Sequence, residues 1–520
     1  MVESLRIGVD FGGTNTDAVL MSGSTVAAAH KQPTTQDIQG GVVSAIRSVL
    51  DQARIEAGQV RCVMIGTTQF TNAFVERRHL VPVGVLRIAE PAARGIPPLS
   101  DWPDDLKAVI GPNVRSVRGG YQFDGRENAS LDGAAVIEAA KGFKRAGLNS
   151  VAISGLFSPV NDAMELEAER LVRRIMPDCA VTLSSRIGRI GLLERENAAI
   201  MNASLAELSV RVVASFASAL RTLGMDARYF ISQNDGTLMS AADVRAYPVL
   251  TFASGPTNSM RGAAYLSGLN DAVVADIGGT TTDIGILSGG FPRQSALAVD
   301  IGGVRTNFRM PDIIALPLGG GSVVSLDPLS VGPQSVGHNL LESARIFGGS
   351  SLTASDIAVA SGQADFGDWA RVSGLDPGRV WKALDLIHTR LADGVDRMKT
   401  DATPVPLILV GGGSVLIGRD VPGVSSLIVP ERAGVANAIG ASISQVGGTV
   451  DRVYAYDELG RDACLDDAKA RSRALATKAG AAPSTIDVID LEEVPLPYLP
   501  GGSVRVRVKS AGALDLEGLT

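Results

Sequence analysis

Apolar residues in this chain run in short blocks that stop at glycine, and one block–glycine–block layout occurs twice. Leu5-Arg6-Ile7-Gly8-Val9 and Ala18-Val19-Leu20-Met21 flank Asp10-Phe11-Gly12-Gly13-Thr14-Asn15-Thr16-Asp17. Ala272-Val273-Val274-Ala275 and Ile284-Gly285-Ile286-Leu287 flank Asp276-Ile277-Gly278-Gly279-Thr280-Thr281-Thr282-Asp283. Both central stretches read D-x-G-G-T-x-T-D, and each predicts strand, tight glycine turn, strand.

Between the hairpins the pattern changes period. Val42, Ala45, Ile46, Val49 and Leu50 fall on one face of a helix predicted over 41–57. Cys62-Val63-Met64-Ile65 reads as a buried strand entering Gly66-Thr67-Thr68-Gln69-Phe70-Thr71-Asn72-Ala73. Pro91, Pro97, Pro98, Pro103 and Pro112 break residues 76–128 into an inserted, loop-rich subdomain. A βα pattern returns over 134–183, and 191–223 carries the longest helical pattern, where the crossover between lobes is placed. Pro406-Leu407-Ile408-Leu409-Val410 is a buried strand ending on Gly411-Gly412-Gly413-Ser414, ahead of a small-residue helix over 433–445. A helix over 466–479, then Pro495, Pro497, Pro500 and a strand over 504–508, suggest a small appended α/β module. The domains expected are 1–190, 191–448 and 449–520.

The hairpins carry the candidate chemistry. Adjacent glycines accept positive φ and let a ligand approach the backbone closely. Consecutive N–H groups in such a turn hold an anion, and threonine hydroxyls add donors. Gly12, Gly13, Thr14, Asn15 and Thr16, with Gly278, Gly279, Thr280, Thr281 and Thr282, are therefore candidate phosphate contacts. A carboxylate beside phosphates makes sense if it holds Mg²⁺, directly or through water, so Asp10 and Asp276 are candidate metal ligands. Asp17 and Asp283 read either as water-orienting catalytic groups or as hydrogen-bond partners of the turn. One such stretch could be a plain glycine hairpin. Two in the same strand context predict a duplicated α/β body with a nucleotide's phosphates between the copies.

Composition narrows the partners. A 520-residue chain with 45% hydrophobic and 20% charged residues fits an ordinary globular protein of two or more domains. Net charge is −7, there is no basic stripe, and only 4% of residues are aromatic, which argues against nucleic-acid binding. No run approaches 18 apolar residues, so no membrane span is expected. Cys62, Cys179 and Cys464 are too scattered for a metal or redox pair. Sparse cysteine and an N-terminus that runs almost directly into a strand lead to a cytoplasmic expectation.

The paired hairpins resemble the phosphate elements of the actin-like ATPase superfamily, and Gly411-Gly412-Gly413-Ser414 is similar to its adenosine-side turn. Several stretches resemble one branch, the ATP-binding subunits of hydantoinases and oxoprolinases. They are Gly66-Thr67-Thr68-Gln69-Phe70-Thr71-Asn72-Ala73, Ser232-Gln233-Asn234-Asp235-Gly236-Thr237, Ser254-Gly255-Pro256, and Ala436-Asn437-Ala438-Ile439-Gly440-Ala441. The resemblance runs over about 5–445, but the run Gly332-Pro333-Gln334-Ser335-Val336-Gly337-His338 departs from the family pattern. It implies ATP and Mg²⁺ as cofactors, with Asn437 among the ATP contacts. Asn72 is then a polar contact in the activating site or a turn cap, and His338 a substrate contact or a satisfied loop residue. It also implies phosphorylation of an amide, imide or carbonyl oxygen before hydrolysis. A second hydrolase subunit, hydantoinase B-like or unrelated, is expected as partner, and a homodimer is possible. A stand-alone small-molecule kinase and an ATP-driven activator of another enzyme are the alternatives.

Overall fold

The computed structural model describes residues 5–295, 298–497 and 501–515, so Pro500 of the tail lies outside the described residues. Both D-x-G-G-T-x-T-D stretches form the expected hairpins, and each starts a sheet of the same order. In the first, Thr25–Pro33, Asn15–Ser22, Leu5–Phe11, Val60–Thr67 and Arg228–Ser232 lie side by side. In the second, Phe291–Pro292, Thr282–Ser288, Ala272–Ile277, Val405–Val410 and Val424–Ile428 follow one another, and Ile313–Leu316 also pairs with Thr282–Ser288. The body is thus the duplicated α/β structure that the repeated motif predicts.

Each sheet buries apolar strands under helices. Ile7, Val9 and Phe11 pack with Val42, Ala45 and Ile46 of helix Ile38–Ala53 and with Val212 and Phe216 of helix Ala206–Thr222. In the second lobe Ala275, Ile277 and Leu409 pack against Leu384, Ile387 and Leu391 of helix Pro377–Met398. The facing sides of the two sheets are joined by helices Ser254–Ser267 and Ala436–Ser442, which cross backbone to backbone. A Cβ on Gly440 would stand 1.8 Å from the Asn258 carbonyl oxygen, and one on Gly262 would stand 1.9 Å from that of Ala436. Gly8 admits the same helix to the first sheet, since a Cβ there would lie 2.1 Å from Ala438 O.

Three expected boundaries are corrected. Residues 76–128 are not a loop-rich insert, because strands Gly84–Glu90 and Val114–Arg118 join Ser150–Gly155 and Ala180–Leu183 in a separate four-stranded parallel sheet. Its central strand hides a charge. Arg87 is 1% exposed and gives its Nε to Glu196 Oε1 at 2.8 Å, a buried pair that breaks the apolar pattern.

The lobe boundary does not fall at 190. The pattern over 191–223 is two helices, Leu192–Ser204 and Ala206–Thr222, bent by 54°. Strands Arg228–Ser232 and Thr237–Ser240 after them still belong to the first sheet. The residues from 449 onward are not an appended module either. Gln445–Ala455 pairs in parallel with Thr237–Ser240, Ser503–Gly512 pairs with Gln445–Ala455, and Asp487–Pro495 ends a nine-stranded sheet. Among the described residues no single helix is long and apolar enough to cross a membrane.

Candidate functional site

The hairpins have one register. Asp10 lies opposite Asp17 and Asp276 opposite Asp283, and each tip closes with the same bond, Gly12 N to Asn15 O at 3.1 Å and Gly278 N to Thr281 O at 2.9 Å. Both tips open onto a single cavity of about 390 Å³ between the lobes. Gly12, Gly13, Thr14 and Asn15 line one wall, Gly278, Gly279, Thr280 and Thr281 the other. Gly411, Gly412, Gly413 and Asn437 close the base. Gly411 has φ +84°, and a Cβ there would lie 2.3 Å from Asp276 Oδ1, so only glycine lets this turn reach the carboxylate. Gly320 N and Gly321 N donate to Gly278 O (3.0 Å) and Gly279 O (2.7 Å), bracing the second tip from behind.

Cross-strand partners sit roughly 5 Å apart, so like charges at Asp10/Asp17 and Asp276/Asp283 oppose each other. Burial, then repulsion from Asp17, pushes Asp10 up to about 7; the Asn437 amide opposes this and Asp276 adds to it. Burial, then the charge of Asp276, pushes Asp283 up to about 7. Burial also raises Asp17, against the pull of Lys31, and Asp276, against a hydrogen bond from Ser259. The repulsion that Asp276 exerts on Asp10, and Asp17 on Asp276, means that the two halves of the fold deliver their carboxylates into one field.

Asn437 Nδ2 donates to Asp10 Oδ2 at 3.0 Å and to Asp17 Oδ2 at 2.8 Å. Lys31 Nζ donates to Asp17 Oδ2 at 2.9 Å and to Gly434 O at 3.0 Å. Asp10 Oδ1 and Asp17 Oδ1 are buried without a hydrogen-bond partner. Gly66 keeps the space beside Asp10 open, since a Cβ on it would stand 2.3 Å from Oδ1.

Some expected residues lie elsewhere. Thr16 and Thr282 are buried and structural: Thr16 Oγ1 shares a 3.0 Å bond with Thr34 Oγ1, and Thr282 Oγ1 donates to Leu318 O at 2.7 Å. In a strand alternate residues face opposite ways, which turns these hydroxyls from the cleft. Ser414 starts the turn Ser414–Leu416 and does not line the cavity, nor does Asp283. Asn72 stands at the first tip, its Nδ2 3.3 Å from where a Gly13 Cβ would be, and donates to Thr68 Oγ1 at 3.3 Å. His338 is exposed and lines none of the cavities described.

Sequence reasoning missed Lys31, Ser259, Gly434 and two phenylalanines. Phe347 and Phe366 line the second-lobe side of the cavity with their rings stacked, 6.2 Å between centroids and 20° between planes. In a chain so poor in aromatics, their place in glycine-bounded loops was the available signal.

The chain is similar to known proteins over most of its length. The profile of the hydantoinase/oxoprolinase N-terminal region matches residues 6–176, and that of hydantoinase/oxoprolinase matches residues 195–393. Caprolactamase subunit alpha of Pseudomonas jessenii is 28% identical over 428 residues, which are 75% of this chain and 59% of that protein. The acetophenone carboxylase gamma subunit of Aromatoleum aromaticum is 24% identical over 394 residues, 68% of this chain and 53% of that protein. The chain thus aligns with little more than half the length of these relatives. Among solved structures, the ATP-dependent caprolactamase from Pseudomonas jessenii superposes with a TM-score of 0.76 at 21% identity, covering 97% of this chain and 87% of that one. Nucleotide-free acetone carboxylase superposes with a TM-score of 0.68 at 18% identity, covering 98% and 88%.

Proposed function

Because the chain belongs to the hydantoinase/oxoprolinase family, we propose that it is the nucleotide-binding subunit of an ATP-dependent enzyme that opens a cyclic amide. The observation that carries this reading is the convergence of two D-x-G-G-T-x-T-D tips and a glycine turn on one interlobe cavity. An amide is a poor electrophile. Transfer of the γ-phosphoryl group of ATP to the amide oxygen gives an activated imidate that water opens with loss of phosphate. The backbone N–H groups of both tips hold the phosphates, and closure of the lobes excludes water while the reacting groups align.

Asp10 and Asp276 are the residues that would hold Mg²⁺. Asp10 Oδ1 is buried without a partner, which suits a cation. No cluster of three or more His, Cys, Asp or Glu placed to hold a metal occurs among the described residues. That agrees with Mg²⁺, which commonly takes one or two carboxylates and completes its shell with phosphate oxygens and water. When bound it neutralises charge on the transferring phosphoryl group. Lys31 and Asn437 hold Asp17 and orient its carboxylate toward the cleft.

Phe347 and Phe366 form the base-side wall in this reading. Phe347→Ala and Phe366→Ala should each weaken ATP binding about tenfold, as stacking on one ring contributes ~1–3 kcal/mol. Titration calorimetry with ATP reads this, and an unchanged affinity would place the base elsewhere.

The relatives named as subunits support a second polypeptide as partner. Three buried, free cysteines accord with a cytoplasmic setting. The test is ADP release by the purified chain, alone and with the polypeptide encoded beside it, across lactams, hydantoins and ketones. Substrate-stimulated release that needs the partner is expected. Release by the chain alone on hydroxyl substrates would favour a small-molecule kinase, and no stimulated release would overturn the assignment.

A further inference from the structure

A second cavity, larger than the nucleotide cleft, shares no residue with it. It encloses about 870 Å³ between the 158–189 loops, the 233–237 turn, strand Gln445–Ala455 and helix Arg461–Lys478. The Gln233-Asn234-Asp235-Gly236-Thr237 stretch that stood out in the sequence places Gln233, Asn234, Asp235 and Thr237 on this wall, so it serves something other than ATP.

The charged lining is cationic: Arg186, Arg189, Arg309, Arg452, Arg471 and Lys478 face Asp162, Asp235 and Asp451. The acids are already engaged. Asp451 takes a two-point contact from Arg505 at 2.7 and 2.5 Å. Asp235 pairs with Lys509 at 3.1 Å and accepts from Thr237 Oγ1 at 2.6 Å, while Asp162 pairs with Arg186 at 3.2 Å.

Positive charge is left over. Arg309 is partly buried and no hydrogen bond or ion pair of its guanidinium is found among the described residues. Behind it Arg507 is 4% exposed, with Nε and Nη2 unbonded. Its nearest carboxylates, Asp490 and Glu492, stand 4.0 and 3.8 Å away, beyond hydrogen-bond range. Arg507 lines an adjoining cavity of about 290 Å³, and Arg189 lines both. Burial, then repulsion from Arg507, brings Arg309 down to about 10; Asp451 and Asp235 oppose this and Arg189 adds to it. The Arg309 guanidinium thus reaches the cavity with no hydrogen bond of its own among the described residues, and beside it the lining holds more cations than acids, which suits an anion.

We propose that the 870 Å³ cavity binds a small organic carboxylate, its head group on Arg309 and Arg189 and its body against Ile187, Leu250, Val450 and Leu475. The planar guanidinium fork matches a carboxylate. The volume lies within the range of small-molecule sites, and the apolar wall would leave a bare oxyanion poorly covered.

Calorimetric titration of the nucleotide-free full chain with glutarate and with inorganic phosphate tests this, at constant ionic strength. Glutarate should bind saturably, and Arg309→Gln should weaken it at least about tenfold with ATP binding unchanged. Ala474→Trp, at an exposed helical position on the cavity wall, should do the same by filling space and leaves the buried charges intact should Arg309→Gln not fold. Absence of saturable glutarate binding, indifference to Ala474→Trp, or phosphate binding in glutarate's place would each overturn the assignment.

Discussion

Asp10→Asn is expected to lower ATP turnover about a hundredfold to a thousandfold and, without nucleotide or Mg²⁺, to raise the melting temperature at pH 8. The first effect follows from removing one of two carboxylates proposed to hold the metal, at a site where charge stabilisation carries catalysis. The second follows from the same burial. Asp10 sits near pH 7 in the folded state against an ordinary 3.8, because burial and then Asp17 disfavour its charge. Below about pH 4 both states hold the proton and the residue is neutral in the balance. Between pH 4 and 7 the folded state keeps a proton that the unfolded state has lost, so this contribution to stability falls as pH rises. Above 7 the ionised carboxylate destabilises the empty fold in full, by a few kcal/mol in order of magnitude.

An uncharged amide at this position still accepts from Asn437 and removes that penalty. The stabilisation should therefore be present at pH 8 and shrink at pH 5, as scanning calorimetry would read. Unchanged turnover would take Asp10 out of the metal site. A lower melting temperature at pH 8 would mean that the ionised form is held favourably.

Gly440→Ala should produce the largest loss of stability, about 3 kcal/mol or more, because its Cβ would meet the Asn258 carbonyl at 1.8 Å. The obstacle is backbone on both sides, so neither helix can yield without lifting Ala436–Ser442 off the first sheet or Ser254–Ser267 off the second. Gly434→Ala is the matched control. It lies six residues earlier in the same segment, lines the cleft, and has open space where its Cβ would go. Denaturant titration should find Gly434→Ala close to wild type. Comparable losses in both would mean that the crossing does not set the cost of a side chain in this segment.

The parts legible in the sequence were those with local causes. A glycine turn between short apolar strands writes its own geometry, so both tips, their shared register and the Gly411–Gly413 turn could be placed before any packing was known. Asn437 was reached only through family resemblance, because its bonds to Asp10 and Asp17 span more than four hundred residues. Lys31 was lost to a β-bulge. A regular hairpin through Ser22 and Thr25 would set Asp17 opposite His30, but the shift between Leu20 and Met21 moves Lys31 into that place. Thr16 and Thr282 were misplaced because the motif was read as one phosphate-binding unit, whereas strand alternation already governs its last residues. The inserted sheet was obscured by Arg87, whose neutralising Glu196 lies on a distant helix.

The place of strand Gln445–Ala455 has a protective consequence. It lies alongside Thr237–Ser240, whose N–H and C=O groups would otherwise face outward as an open margin. A polypeptide that stops at 444, just before this strand, would uncover that margin in the same sheet that bears Asp10 while keeping Gly411–Gly413 and Asn437. Such a truncated chain would be sticky toward its own copies, and its failure to stay in solution would say nothing about whether the nucleotide cradle is intact.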